Sequence, residues 1–436
     1  MSSRKDDESV FVYITLPGET SAVLAGRFDL SHRTGTPVGS FAYARSYRER
    51  RHAVELDPRE LNFEQASFRT TKGGGVFGVL RDATPDSWGR RLIERRIAGG
   101  YVDLSPVQYM LNSPEDRAGA LGFGLGPQPP APIRDFNRTM DLSELVEAAN
   151  ALIAEDQKQE MSAPDGPNAA QIERLLLIGT AMGGARPKAT VEDRDMLWVA
   201  KFPIIADAAR GITGDRWNNP RVEHATMLLA RECGLSCADT RIVDVGGRDV
   251  LLSRRFDRER RGDCYERKRM ISGLTMLGVT EDDRDKWSYL ALADEMRRRS
   301  GSARAGELLE LYRRIVFNAL ISNIDDHPRN HAFLAHGTDW LLAPAYDLTP
   351  TPMVGQQRDL AMSLGDFGRA ATRENLLSRF GNFGLQRPNA ERLIHDMTAV
   401  VQSRWYPLAR SVGVTEADCE RIRSAFVYNG FGASDG

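Results

Sequence analysis

Cysteine is scarce in this chain, which has four cysteines among 436 residues. This number is too small for a disulfide framework, and the cysteines are not spaced with histidines as in a zinc finger. Long hydrophobic runs are missing too: there is no run of about 18 apolar residues, and the first residues contain no apolar signal core. We therefore expect no membrane segment, and the cytoplasm is the simplest compartment.

Neither sign of charge predominates. The chain has 58 Lys and Arg against 60 Asp and Glu, a net charge of -2. A basic field over the whole chain, typical of nucleic-acid-binding proteins, is therefore absent. Hydrophobic residues make up 41%, which suffices for sizeable cores, and the length allows two or three domains.

The most informative stretch is 323–331, Asn-Ile-Asp-Asp-His-Pro-Arg-Asn-His. Asp325 and Asn330 lie five residues apart with a proline between them, which disfavours helix and predicts a loop. A segment of helical periodicity, 307–322, precedes this loop, and two short apolar segments and then Asp347 follow it. Helix, polar loop, two strands and aspartate is the order that a kinase catalytic loop and its metal-binding aspartate require. A lone Asp-x-x-x-x-Asn is common, so the order supports this interpretation more than the motif does.

A glycine-rich stretch, 183–188, precedes a predicted hairpin that contains Lys201. Glycines let backbone N–H groups approach phosphate oxygens, and Arg186 and Lys188 add positive charge. The stretch is neither a Walker A sequence nor Gly-x-Gly-x-x-Gly, so an ordinary turn is the alternative. Lys201 would reach nucleotide phosphates if a carboxylate oriented it, and Glu223, at the start of a predicted helix, suits that role.

The remaining segments predict the fold class. Short strands at about 10–16, 21–28 and 40–43 form a β-rich opening, and a helix capped by Asp86 or Ser87 would bury Trp88, Leu92 and Ile93. The Gly- and Pro-rich stretch 118–132 predicts a boundary without regular structure. Beyond residue 272 helical periodicity predominates. We predict an α+β, two-lobed protein-kinase-like fold whose three parts are a β-rich N-terminal subdomain at 8–125, a small lobe at 141–255 and an all-helical catalytic lobe at 256–436.

These motifs, in this order, resemble the HipA family of bacterial serine/threonine protein kinases, the toxins of type II toxin-antitoxin modules. The likeness spans nearly the whole chain. It includes Arg-Phe-Asp-Arg at 255–258 and Ala-Tyr-Asp-Leu at 345–348. The stretches 82–91 and 116–123 are similar to the N-terminal subdomain of the family.

The resemblance implies a role for individual residues. Asp325 would be the catalytic base, and Asn330 and Asp347 would hold Mg²⁺. A larger set of residues would bind the phosphates, the adenine and the ribose of ATP. The backbone at Arg254 and Phe256 would contact adenine, and His327 and Asp257 would lie near the ribose. The residues that would contact the phosphates are Gly183, Gly184, Ala185, Arg186, Lys188 and Lys201.

The resemblance also implies partners and a control. The expected partners are a protein substrate, with an aminoacyl-tRNA synthetase as the leading candidate, and a helix-turn-helix antitoxin of the HipB type that links the kinase to DNA. Relatives often carry a serine just before the glycine-rich segment, and autophosphorylation of this serine silences the kinase. Here the sequence is Gly-Thr-Ala-Met at 179–182, so Thr180 is the regulatory candidate.

Two alternatives remain open at the level of the sequence. The first is a small-molecule phosphotransferase of the aminoglycoside-kinase type, for which Asp359, Asp366 and Glu374 would supply an acidic pocket. The second is a mainly non-catalytic corepressor subunit. Basic runs at 45–51, 90–96 and 254–269 would then contact DNA phosphates, although such runs usually form solvated faces.

Overall fold

Two compact units make up the computed structural model, which describes residues 7–32, 35–63, 66–98, 101–133, 136–137, 141–158, 186–206 and 213–432. The first unit takes the residues up to Gly214 together with Arg254–Glu281, and the second takes Asp215–Ser253 together with Asp282–Gly436. These units do not follow the predicted boundaries, because Arg254–Glu281 packs with the N-terminal residues. The predicted division into three domains stays a prediction.

An antiparallel five-stranded sheet opens the first unit. Its strands are β1 (Glu8–Thr15), β2 (Ala22–Ser31), β3 (Val38–Tyr43), β4 (Ser67–Thr70) and β5 (Leu121–Gly124), in the order β4-β3-β2-β1-β5. The three strands predicted at the start of the chain are confirmed, with Val10, Val12 and Ile14 buried on one face of β1. The stretch 118–132 was expected to lack regular structure, and this expectation is wrong for β5. Pairing with β1, more than a hundred residues away, supplies the hydrogen bonds that the local sequence does not indicate.

Along the chain, helices of the first unit lie between these strands and after them. They are α1 (Arg45–Arg48), α2 (Gly78–Asp82), α3 (Ser87–Ala98), α4 (Pro106–Asn112) and α5 (Leu142–Lys158). Asp86 accepts a hydrogen bond from the Gly89 N–H (2.9 Å), which confirms the predicted cap of α3. Trp88, Leu92 and Ile93 are buried, as predicted.

A hairpin of β6 (Lys188–Asp193) and β7 (Met196–Lys201) belongs to the same unit. Its turn has positive φ at Arg194 (49°) and Asp195 (61°), the backbone that tight two-residue hairpins favour. The returning segment then adds β10 (Arg258–Arg261), β11 (Cys264–Arg267), β12 (Met270–Ser272) and α7 (Gly273–Leu277).

The second unit is mainly helical. It contains α6 (Asn219–Glu232), the hairpin of β8 (Thr240–Val245) and β9 (Arg248–Arg254), α8 (Tyr289–Arg299), α9 (Arg304–Leu320), the hairpin of β13 (Ala332–His336) and β14 (Asp339–Leu342), α10 (Arg373–Ser378), α11 (Arg387–Ser411) and α12 (Glu416–Ile422). Gly246 and Gly247 provide the positive φ of the first hairpin. One apolar cluster joins α6 to the last two helices through Val222, Ala225, Ala409, Val414, Cys419 and Ile422.

Strands and helices are mixed in the way that the α+β prediction requires, with one correction. The part at 256–436 was predicted to be all-helical, but β10, β11 and β12 and the hairpin of β13 and β14 lie within it. The strands β13 and β14 pair because apolar residues such as Phe333 and Trp340 are fully buried there. Among the helices that the structure describes, none is long and apolar enough to span a membrane.

Candidate active site

The predicted catalytic loop follows α9 directly. The buried side of this helix includes Leu311, Ile315 and Leu320, so tertiary packing fixes the helix end. Ser322 then takes a left-handed backbone with φ 51°, which turns the chain out of the helix. The N–H of Asn323 still donates to the carbonyl of Asn318 (2.9 Å). The loop therefore begins from a rigid point.

Asp326 is the buried anchor of this loop. Its carboxylate accepts hydrogen bonds from Asn318 Nδ2 (2.7 Å), His331 Nε2 (2.8 Å) and the Tyr289 hydroxyl. Burial alone would raise the pKa of Asp326, but the charge and hydrogen bond of His331 and the hydroxyl of Tyr289 outweigh it and lower the pKa. Asp326 is therefore ionised at neutral pH and ties the loop to α8 and α9.

Asp325, one residue earlier, has its side chain exposed. Desolvation by its surroundings raises the pKa of this carboxyl, His327 acts in the opposite direction, and the negative charges of Asp347 and Asp326 raise the pKa further. Asp347 is therefore near enough to repel Asp325. Two carboxylates that share a site in this way favour a bound cation or a proton.

Asn330 lies at the end of a tight turn. Pro328–Asn330 form a 3-10 turn in which the Asn330 N–H donates to the His327 carbonyl (2.8 Å). The Asn330 Nδ2 donates to the backbone carbonyl of Asp325 (3.0 Å), so the side-chain amide is held beside the base candidate. Its Oδ1 is then the atom suited to a metal.

Hydrogen bonds fix the two residues that precede Asp347. The preceding Ala345 exchanges backbone hydrogen bonds with Ser236 (2.7 Å) and Ala238 (2.9 Å). The Tyr346 hydroxyl donates to the carbonyl of Arg329 in the catalytic loop (2.7 Å). Asp347 itself has φ 59°, a left-handed backbone that is uncommon outside glycine and concentrates at functional sites. The second unit thus brings Asp325, Asn330 and Asp347 together.

The donor set at this point fits magnesium. Carboxylate oxygens of Asp347 and the amide oxygen of Asn330 are hard ligands, and Mg²⁺ usually takes one or two carboxylates together with substrate phosphates and water. The mutual repulsion of Asp325 and Asp347 would be relieved by a cation. The residues present are therefore consistent with the predicted metal site.

Lys188 and Lys201 lie opposite each other in the β6-β7 hairpin of the first unit. Lys201, the last residue of β7, is half-buried. Lys188 is 3% exposed, and its Nζ forms an ion pair with Asp86 (2.7 Å), the cap of α3. This ion pair holds the hairpin to α3, and the Trp88 indole N–H also donates to the Lys188 carbonyl (3.2 Å). The expected role of Lys188 in covering phosphates stays a prediction.

Asp257 is held by hydrogen bonds to neighbouring residues of the first unit. Its side chain is fully buried and accepts hydrogen bonds from Arg255 (2.9 and 2.8 Å), Arg258 (2.7 Å) and the Gly119 N–H (2.9 Å). Burial alone would raise the pKa of Asp257, but the two arginines outweigh it and lower the pKa. These contacts hold Asp257 within the first unit, and its expected place near the ribose stays a prediction.

Other residues with predicted roles lie in or beside β6, β9 and α6. Arg186 is half-buried just before β6, and Glu223 is buried in α6. Arg254 ends β9 and Phe256 follows, while the N–H of Arg255 between them donates to Leu197 (2.8 Å). Their contacts with adenine and with Lys201 stay predictions. Four other residues with predicted roles, Thr180, Gly183, Gly184 and Ala185, lie outside the described residues.

The sequence reasoning missed the buried anchor. Asp325 and Asp326 are adjacent, and the motif alone does not tell which of them faces solvent. The partners of Asp326 come from Tyr289 and Asn318 in two preceding helices, and from His331, which lay in the motif without an assigned role. A polar residue at an inward position of α9, such as Asn318, was the available signal.

We expect Asp326→Ala to destabilise the protein by about 3 to 5 kcal/mol, because three buried donors lose their acceptor. Since its pKa is lowered in the fold, Asp326 stabilises the protein above the ordinary aspartate pKa, and this contribution is lost as the pH falls through the lowered value. Urea denaturation at neutral and acidic pH measures both effects. The exposed Asp359→Ala is the control, and equal stability of the two variants at pH 7 would contradict the anchor role.

Several known proteins are similar to this chain in sequence or in fold. A family model described as HipA-like C-terminal domain matches residues 180–405. A Haemophilus influenzae protein named "Putative kinase" is 24% identical over 176 residues, which cover 37% of this chain and 51% of that protein. The chain thus spans about half the length of this curated relative.

Two solved structures are similar to the chain. HipA in the Shewanella oneidensis MR-1 complex of HipA, HipB and operator DNA is 17% identical, covers 95% of this chain and 94% of its own, and has a TM-score of 0.63. The Helicobacter pylori proinflammatory kinase CtkA is 14% identical and covers 56% of this chain and 91% of its own. Its TM-score of 0.37 is too low to support an argument.

The fold is of the predicted α+β class, and the HipA structure from Shewanella shares it. Because the family model covers more than half of the 436 residues, the chain belongs to the HipA-like C-terminal domain family. The resemblance inferred from the motifs is confirmed.

Proposed function

We propose that this protein is an ATP- and Mg²⁺-dependent serine/threonine protein kinase, the toxin of a type II toxin-antitoxin module. The observation that supports it most is the arrangement in the second unit. An exposed Asp325 with a raised pKa, the Asn330 amide held beside it, and Asp347 within electrostatic reach occupy one site. The family of the chain supports the same chemistry.

In this proposal Asp325 acts as the general base. Its carboxylate accepts the proton of the acceptor hydroxyl while the hydroxyl oxygen forms a bond to the γ-phosphorus. The bond from that phosphorus to the bridging oxygen of ADP breaks, and ADP leaves with the electron pair. A raised pKa makes Asp325 a stronger proton acceptor than an ordinary aspartate.

Other residues bind and orient the nucleotide. Asn330 and Asp347 would hold Mg²⁺, which when bound neutralises charge on the phosphates. Lys201, oriented by Glu223, would contact the phosphates below the glycine-rich stretch 183–188. The backbone at Arg254 and Phe256 would contact adenine, and His327 would lie near the ribose.

The partners follow from the same proposal. The Shewanella structure contains HipA together with HipB and operator DNA. We infer that this chain binds a helix-turn-helix antitoxin of the HipB type in the cytoplasm and reaches DNA through it. The protein substrate would be a translation component such as an aminoacyl-tRNA synthetase.

Phosphoacceptor profiling in a bacterial lysate tests the function. Purified wild type and Asp325→Asn are incubated with Mg-ATP, and phosphopeptides are quantified by mass spectrometry. New phosphoserine or phosphothreonine sites should appear with the wild type alone. A parallel assay of ATP turnover with aminoglycosides tests small-molecule transfer: turnover there, with no phosphoprotein, would replace the proposed acceptor class.

Autophosphorylation should place phosphate on Thr180 if this threonine replaces the regulatory serine of its relatives. Incubation with Mg-ATP, intact-mass measurement and phosphosite mapping follow the reaction. We expect one added phosphate on Thr180 and a decline of activity as it accumulates, while Asp325→Asn should gain none. An active enzyme with no phosphate on Thr180 would remove this mode of control.

A further inference from the structure

Val427 has a backbone that is unusual for its side chain. Its φ is 43°, in the left-handed region, where a β-branched residue is a genuine outlier. Such conformations persist only where surrounding contacts impose them, and they concentrate at functional positions. The contacts that impose this one therefore indicate what the residue does.

Two hydrogen bonds join the 425–427 segment to the end of α9. The N–H of Val427 donates to the carbonyl of Leu320 (2.7 Å), one of the last helical carbonyls, which intrahelical bonds leave without a partner. The Ser322 hydroxyl donates to the carbonyl of Ala425 (2.8 Å). Leu320, Ser322 and Ala425 are all fully buried. Two residues with a left-handed backbone, Ser322 and Val427, therefore lie in one small hydrogen-bonded cluster.

Neighbouring aromatic residues hold the segment in place. Phe426 stacks on Trp405, with ring centroids 4.5 Å apart, and the Tyr428 hydroxyl donates to the carbonyl of Ala371 (3.0 Å). Val427 lies between these anchors and lines a cavity of about 1040 Å³. The side chain of Val427 is thus only half-buried, so hydrogen bonding rather than close packing fixes its backbone.

This hydrogen-bonded cluster lies where α9 ends and the predicted catalytic loop begins. Ser322 is three residues before Asp325, and its carbonyl accepts a hydrogen bond from the N–H of Ile324 (2.9 Å). The next bond in the chain runs from the His327 N–H to the carbonyl of Asp325 (2.8 Å). A shift of the helix end would therefore move the base, and a base displaced by about 1 Å loses most of its effect on rate.

We propose that Ser322 and Val427 are positioning residues: through the 425–427 segment they fix the end of α9 and thereby the backbone that places Asp325. This role deepens the proposed kinase function and rests on it for its effect on rate. Its effect on the loop backbone does not depend on catalysis and is measured separately.

Val427→Pro and Val427→Gly form a matched pair. Proline removes the N–H and forces a negative φ, whereas glycine keeps the N–H and adopts a positive φ without strain. Phe426 already has φ -91° and ψ 119°, the extended backbone that a residue before proline needs, so the damage stays local. Ser322→Ala removes the other bond, and Ser113→Ala, which removes a buried hydroxyl-to-carbonyl bond in the first unit, is its control.

Hydrogen exchange by mass spectrometry reports the loop, and steady-state kinetics report the base. Val427→Pro and Ser322→Ala should exchange faster in peptides covering 321–331 and should lose about tenfold or more in kcat, with KM for ATP changed by less than about twofold. Val427→Gly and Ser113→Ala should match the wild type in both measurements.

The outcomes separate the two proposals. Unchanged exchange in both Val427→Pro and Ser322→Ala overturns the positioning role, as does a loss in Val427→Gly equal to that in Val427→Pro. If Val427→Pro does not fold, Ser322→Ala decides. If the wild type transfers no phosphate to any acceptor, the kinase proposal fails, while the exchange data still decide whether these residues fix the loop.

Discussion

Asp325→Asn should lower kcat for phosphoryl transfer by about 10² to 10⁴-fold, because it removes the proton acceptor without changing the shape of the side chain. The backbone carbonyl that receives the Asn330 amide and the His327 N–H remains, so the loop should keep its conformation. Binding of Mg-ATP should be largely retained. Steady-state kinetics with a protein acceptor, and titration with a fluorescent nucleotide, measure the two effects separately.

The same variant should be as stable as the wild type or more stable at neutral pH. The pKa of Asp325 is raised in the fold, so the folded protein favours its protonated form and ionisation opposes folding. Asparagine removes that opposition. The gain should vanish as the pH falls below the ordinary aspartate pKa of about 4. Thermal unfolding across this range measures it.

A matched control for this prediction is Asp396→Asn, an exposed aspartate on α11. It should leave both rate and stability unchanged. In cells, the Asp325 variant should no longer arrest growth. Retained toxicity at normal expression, or a rate within a few-fold of the wild type, would contradict the assignment of the base.

Asp347→Ala should weaken the binding of Mg-ATP by about tenfold to a hundredfold, the effect of losing one charged ligand. Alanine also has to adopt the left-handed backbone of Asp347 (φ 59°), which destabilises the turn. Asp347→Asn separates these effects, because asparagine tolerates that backbone and removes only the charge. Calorimetric titration with ATP, with Mg²⁺ and with EDTA, measures the metal-dependent part of the affinity.

The metal-free titration is the internal control for Asp347. Both variants should bind ATP as the wild type does in EDTA and differ from it only when Mg²⁺ is present. Both should also lower the pKa of Asp325, since the charge of Asp347 raises it. An affinity that falls equally with and without Mg²⁺ would assign Asp347 to the nucleotide rather than to the metal.

The position of the 323–331 loop between a helix and a strand could be predicted from the sequence because its signals are local. A helical apolar pattern, a proline in a polar stretch and a short apolar run determine where α9 ends and where β13 begins. The helix predicted at 307–322 is Arg304–Leu320, and the first of the two short apolar segments predicted after the loop is the strand Ala332–His336. The short-range rules of backbone conformation were sufficient here.

Residue roles that depend on distant partners could not be predicted in this way. The sequence did not indicate that Lys188, predicted to lie near phosphates, forms an ion pair with Asp86, about a hundred residues earlier. Asp257 matched a family motif, yet Arg255 and Arg258 enclose its carboxylate. Charged residues that lie at motif positions are assigned by the partners that the fold brings to them.

The arginines in and beside β10 and β11 have a further consequence for work with shortened versions of the protein. Arg255 pairs with Asp116 (2.7 Å), and Arg258 and Arg267 donate to the carbonyl of Gly119 (3.0 Å each). A fragment cut to the family boundaries, 180–405, would contain these cations but none of their acceptors from the 116–119 segment. Asp257 would remain as a counter-charge for Arg255 and Arg258, but the hydrogen bonds to Asp116 and Gly119 would have to be replaced by water. We therefore expect a fragment of residues 180–405 to be less stable than the full chain.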